Sequence, residues 1–266
     1  MRPLPGPDID RLGPFLLLDH FGPKQVAPGD YGGLNPHPHR GFETVTLILE
    51  GAMEHLDSSG GHGVIRPGGV QWMTAASGIV HAEYHEREFA RIGGTLHGIQ
   101  LWVNLPARFK MVPPEYQDLP AERIPIVVTG GARVRVISGE LLGAHGPART
   151  YTPVTLAHLT MTEGAHVRLP LPTQQAAGIY AIRGSGTAGG RPFRAMTLIE
   201  FENAGDTIAL SATEPADLLL LAGEPIDEPV VAWGPFVMNT AEEIVQARKD
   251  FAAGRMGTLD PRAPSS

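Results

Sequence analysis

Two pairs of residues in this chain could do chemistry together: His37 and His39, on either side of Pro38, and His81 and Glu83, on either side of Ala82. Successive side chains of an extended backbone point to opposite sides, so the members of each pair project the same way if both segments are strands. Three imidazoles and one carboxylate make a nitrogen–oxygen donor set suited to a first-row transition ion. Turned into an apolar interior, these groups need hydrogen-bond partners or a cation to offset the cost of burial. HxH alone is a short pattern that arises by chance, and a strand histidine is often a hydrogen-bonded core residue. The second pair, far along the chain, favours a metal site over that alternative.

Carrying the parity of His37 and His39 through FETVTLILE puts Glu43, Val45, Leu47 and Leu49 on the histidine side, with Phe42, Thr44, Thr46 and Ile48 on the other. Glu43 is then a rival carboxylate. His85 and Glu86 are expected at the rim of the cluster, while His55, His62 and His97 read as ordinary strand or turn residues. His145, His158 and His166 stand isolated in the second half, which holds no HxH and is expected to be metal-free. Phe42, Met53, Trp72 and Met73 lie close to the motifs as candidate substrate walls, although apolar strand residues are mostly core. The glycines of GIYAIRGSGTAGGRP lack the Lys-Ser/Thr of a phosphate loop and read as hairpin turns.

The elements that must position these residues are short apolar runs. LGPFLLLDHFGP, the histidine segment, MEHLDS, HGVIRPGGVQWMTA and TLHGIQLWVNLP are rich in β-branched or aromatic residues and broken by glycine-containing turns. Gly (33) and Pro (25) are spread between such runs throughout the 266 residues, the punctuation of an all-β fold. ARFKMVPPEYQDLPAERIP has no clear period and marks a junction, giving domains at 1–125 and 126–266. Strands resume beyond it, and the second half repeats the architecture of the first. TAEEIVQARKDFAAG closes the pattern with a helix. Thr240 and Glu243 have capping-box spacing, Ile244, Ala247 and Phe251 recur at helical spacing, and Gly254 is a stop.

Composition narrows the chemistry further. Without cysteine there is no disulfide and no thiolate, so a metal must be held by nitrogen and oxygen. A net charge of -7 with no dense Lys/Arg cluster counts against direct nucleic-acid binding. No apolar run approaches the roughly 20 residues that span a bilayer, and MRPLPGPDID lacks the blocks of a secretory signal. A cytoplasmic protein without membrane association is expected.

HPHRGFETVT, GGVQWMTAASGIVHAE, GIQLWVNLPARFKM and GEPIDEPVVAWGPFVMNT resemble the pirin family, and the likeness runs along nearly the whole chain. The resemblance implies an all-β bicupin: two antiparallel jelly-roll β-barrels with a C-terminal α-helix, the first barrel holding iron. Carried over by position, the ligands would be His37, His39, His81 and Glu83. The general cupin pattern nominates Glu43 instead. The HAE triplet favours Glu83 and leaves Glu43 to orient a ligand histidine. Ala76 departs from the proline that many cupins have there. Pirins are associated with quercetinase activity, so the resemblance implies an Fe(2+)-dependent quercetin 2,3-dioxygenase-type oxygenase. It would use O2 and a small aromatic substrate that chelates through adjacent oxygens, with Glu83 as the catalytic base. Some pirin relatives are redox-sensing regulators that bind a transcription factor or metabolic enzyme, which makes a protein partner the alternative. A small-molecule barrel with inert zinc or nickel is a third reading.

Overall fold

The computed structural model describes residues 1–202 and 204–260. By contacts the chain forms two units, one of Met1, Leu18–Ala121 and the chain from Asp227, the other of Arg2–Leu17 and Glu122–Ile226. Both are antiparallel β-structures, and the fold is the expected bicupin with a terminal helix.

In the first unit the strands are β1 (Phe15–Val26, in this unit from Leu18), β2 (Gly33–His39), β3 (Phe42–Glu50), β4 (Met53–Asp57), β5 (His62–Ile65), β6 (Val70–Thr74), β7 (Ile79–His85), β8 (Gly94–Asn104) and β9 (Glu115–Leu119). One sheet runs β1-β8-β3-β6-β9 and the other β2-β7-β4-β5. The two face each other, since Thr46 of β3 meets Glu83 of β7 and Gln71 of β6 meets His55 of β4. A short helix, α1 (Arg87–Ile92), interrupts the strands. Its six residues are too few to show a period, but Glu86 caps it by accepting from the Phe89 backbone N–H at 2.9 Å.

The second unit follows with β10 (Ile126–Thr129), β11 (Ala132–Ser138), the small hairpin β12 (Glu140–Leu141) and β13 (Ala144–His145), and β14 (Val154–Met161). It continues with β15 (His166–Pro170), β16 (Ala176–Arg183), β17 (Gly186–Ala188), β18 (Arg191–Phe193), β19 (Thr197–Glu200), β20 (Thr207–Ala212) and β21 (Ala216–Gly223). Its sheets are β10-β11-β14-β21-β16-β19 and β15-β20-β17-β18. Strands from both contribute to one apolar core that includes Val134, Leu159, Leu169, Ile179, Leu210 and Leu220.

The last segment departs from the expected boundaries. The units change between Ala121 and Glu122, and the hairpin β22 (Val231–Trp233) and β23 (Phe236–Met238) with α2 (Ala241–Ala252) belongs to the first unit, not to a domain of residues 126–266. The physical reason is a shared apolar cluster: Val80 of β7 packs with Phe236, Met238, Ile244, Ala247 and Met256. Buried Arg40 adds an ion pair to Asp250 at 2.7 Å. The capping box forms as the sequence implies, with Thr240 and Glu243 each satisfying the other's backbone N–H. Ile244 and Ala247 face inward, whereas Phe251 is 41% exposed and lies off the buried stripe.

Candidate metal centre

Antiparallel pairing of β2 with β7 sets His37 directly opposite His81. The alternation along β2 brings His39 to the same side, and the three rings cluster with centroids 4.3 to 4.9 Å apart. Each offers a nitrogen within 4.8 Å of the others. The Nδ1 atoms of His37 and His39 lie 2.8 Å from the Asn35 carbonyl and 3.4 Å from the Pro235 carbonyl. A carbonyl only accepts, so each Nδ1 carries a proton, and in a neutral ring that leaves the lone pair on Nε2. His81 Nε2 is buried with no hydrogen-bond partner among the described residues. Burial foremost, and then the neighbouring His37, holds His39 down to about 3. Burial and the other imidazoles push His81 well below its ordinary value too. Imidazole nitrogens gathered this closely suit a transition ion, and an orphaned buried nitrogen is costly without one. The residues fit a metal.

Glu83 stands apart from this three-ring group among the described residues. Gln100 Nε2 donates to both of its carboxylate oxygens, at 3.1 and 3.3 Å, and Thr46 Oγ1 donates at 3.4 Å. The carboxylate lines a cavity of about 390 Å³ with Thr46, Gln100 and His85, whose apolar walls include Phe21, Met53 and Leu96. Of the expected substrate walls only Met53 reaches this cavity. Phe42 packs on His39 and Trp102, while Trp72 and Met73 are fully buried core.

Glu43 needs a correction. The chain turns at Gly41, with φ at +88°, and β3 enters the opposite sheet, so the parity of His37 and His39 does not carry across. Thr46, Gln71 and Gln100 are register partners on the face that meets Glu83 and His55, which puts Glu43 on the other face. There it accepts from Thr74 Oγ1 at 2.7 Å and is not brought to a ligand histidine. Burial pushes its carboxyl up to about 7.

The turn that carries the HxH pair is clamped on several sides. A Cβ at Gly41 would collide with the Val237 carbonyl, so only glycine serves there. Buried Lys110 donates to the carbonyls of Gly41 and Val237 and to Asn104 Oδ1 at 2.6 to 3.0 Å. Arg40 Nε donates to the Ser77 carbonyl at 2.7 Å. Ala76, beside it, has φ at +40°, a conformation closed to proline's ring.

Sequence reasoning passed over the layer behind His81. His55 is fully buried, bonded to Asp57 and Gln71 and stacked on Tyr116. An isolated strand histidine carries no local signal. Only the pairing of β4 with β7, which sets His55 opposite Glu83 and Asp57 opposite His81, reveals it. His62 meets Glu54 at 2.9 Å, and His97 meets His20 at 2.6 Å, both outside the cluster. His85 is buried on the Asp30 carbonyl. In the second unit His145 and His166 are exposed and His158 lies 3.9 Å from Asp217.

Residues 1–103 match the family model described as Pirin, and residues 156–257 the one described as Pirin C-terminal cupin domain. A Pseudomonas aeruginosa protein named "Putative quercetin 2,3-dioxygenase PA2418" is 44% identical over 92% of this chain and 86% of its own. Human pirin is 42% identical over 96% and 87%. The crystal structure of quercetin 2,3-dioxygenase from Acinetobacter baumannii superposes with a TM-score of 0.90 at 40% identity, covering 94% of this chain and 88% of that one. An Escherichia coli pirin solved with nickel(II) shares the fold at a TM-score of 0.65 and 20% identity, over 83% and 87%. No helix of the described residues is long and apolar enough to cross a membrane. The chain belongs to the pirin family.

Proposed function

We propose that this protein is an iron-dependent oxygenase of the quercetin 2,3-dioxygenase type, with His37, His39 and His81 holding one Fe(2+) and Glu83 as the fourth ligand when it turns to the ion and the base when Gln100 and Thr46 hold it. The observation that carries this is the gathering of three imidazoles, each with a nitrogen within 4.8 Å of the others, and the buried His81 Nε2 without a hydrogen-bond partner among the described residues. The names of the relatives supply the substrate class, a flavonol with adjacent oxygens, and O2 as co-substrate. When bound, iron supplies the electron exchange that lets dioxygen react with an electron-rich aromatic.

The protein's own groups do the rest. Glu83 takes the proton of the flavonol hydroxyl, and Gln100 and Thr46 hold the carboxylate in position for it. Phe21, Met53 and Leu96 give the cavity beside Glu83 apolar walls for a flat ring system. Its volume of about 390 Å³ falls in the range of roughly 300–1,000 Å³ usual for small-molecule sites. Loading with iron under anaerobic conditions, then adding quercetin and air, should consume oxygen in step with flavonol loss. Iron-replete protein that leaves quercetin intact would remove the enzyme assignment.

A second reading, a redox-sensing binding protein, is favoured by a groove of about 650 Å³ lined by Trp233, Pro235, Val245, Arg248 and Phe251. Pro235, through its carbonyl, also holds His39. Under that reading, a pull-down from extract catches a partner with ferrous protein and loses it with ferric protein, or the reverse. Identical catches would dismiss it.

A further inference from the structure

His37 and His39 each have a backbone carbonyl that fixes which ring nitrogen carries the proton. His81 has none, and its ring hydrogen bond goes to another histidine, His55. We propose that Asp57 and His55 are positioning residues that set the tautomer of His81 in series, leaving Nε2 bare toward the cation. The proposal rests on the assignment of His37, His39 and His81 as metal ligands.

The chain of donors starts at Asp57. Its Oδ1 is fully engaged, accepting from the Ser59 N–H at 2.8 Å, the Ser59 hydroxyl at 2.6 Å and the Gly61 N–H at 3.0 Å. Its Oδ2 is left for His55 Nε2 at 3.0 Å, and both side chains are wholly buried. A carboxylate can only accept, so His55 Nε2 carries a proton, and the Gln71 amide N–H, which can only donate, makes His55 Nδ1 the acceptor. That bare nitrogen accepts from Gln71 Nε2 at 3.0 Å and faces His81 Nδ1 at 3.4 Å. Two bare nitrogens would repel, so the proton of His81 sits on Nδ1, and Nε2 presents its lone pair. Stacking on Tyr116, with ring centroids 4.6 Å apart and 11° between planes, keeps the His55 ring from turning. Carboxylate–histidine–metal relays are a general device for orienting ligands, and here one extra imidazole lengthens the relay.

Two measurements test this, with zinc as the probe. The first uses wild-type protein labelled with 15N-histidine and loaded with zinc, read by proton–nitrogen correlation of the rings. The expected result is a proton on His55 Nε2 and on His81 Nδ1; a proton on His55 Nδ1 would overturn the proposal. The second is zinc affinity by chelator competition. Asp57→Asn should weaken it by about 10–100-fold, because an amide can donate to His55 and reverse the series. His55→Asn puts a fixed amide oxygen near the Nδ1 position, and in that background Asp57→Asn should change affinity less than about twofold. Wild-type affinity in Asp57→Asn would overturn the proposal, and if that variant does not fold, the wild-type tautomers decide. Wild-type protein that binds no zinc would instead fail the ligand assignment, and the relay with it.

Discussion

The two barrels share a plan of two antiparallel sheets, yet their interiors differ in kind. The second has an apolar core of alanine, valine, leucine, isoleucine, methionine and phenylalanine, and its buried polar side chains among the described residues are Ser138, Thr152, Thr155, Gln175 and Asp217, with no histidine among them. The interior of the first buries His39, Glu43, His55, Asp57, Gln71, His81, Glu83 and Lys110 beside its apolar residues. Burying polar groups is costly unless each is paired, so the first barrel carries the larger cost, and it carries it around its histidine cluster. One fold thus serves two ends, and substitutions can separate them.

The largest expected effect is in the second barrel. Leu220→Ala removes a fully buried side chain and should cost about 2–5 kcal/mol in denaturant unfolding, with zinc affinity unchanged. A parallel loss of affinity would show that the interiors are not separable. Glu43 probes the opposite case. Its folded value of about 7 lies above the ordinary 4.5, so between them the folded protein holds a proton that the unfolded chain has released. Stability of the metal-free protein therefore falls as pH rises from about 4.5 to 7. Glu43→Gln should remove that slope and stabilise by up to about 3 kcal/mol above pH 7, read from unfolding curves across pH.

Gln100→Leu comes next, since it strips a donor from both oxygens of Glu83. Turnover of the iron-loaded protein should drop about tenfold while iron stoichiometry stays the same. Smallest is Thr240→Ala, which breaks the capping box of α2 and should cost about 1 kcal/mol. Hydrogen exchange should then rise in β22, β23 and α2 and not in the strands of the second barrel, which checks that the terminal segment belongs with the metal-binding unit.

What the sequence made legible follows from periods and caps. Two-residue alternation was enough to put His37 with His39, and His81 proved to be their partner across β2 and β7. The Thr240–Glu243 spacing was enough to start α2. Where the backbone changes direction, alternation fails: Gly41 ends β2's parity, and Glu43 lands on the wrong face. Strand pairing was equally invisible, so His55 read as an ordinary strand or turn residue although β4 sets it beside β7. The terminal helix was assigned to the second half because it follows it in sequence; its apolar contacts with Val80 are long-range and leave no local trace.

The proposed metal centre depends on three histidines of the first barrel. Anaerobic calorimetric titration with ferrous iron tests it most directly, comparing wild-type protein with His37→Ala/His39→Ala/His81→Ala. One equivalent should bind to the wild type and none to the variant at the same concentration. Equal stoichiometry and affinity in both would contradict the account.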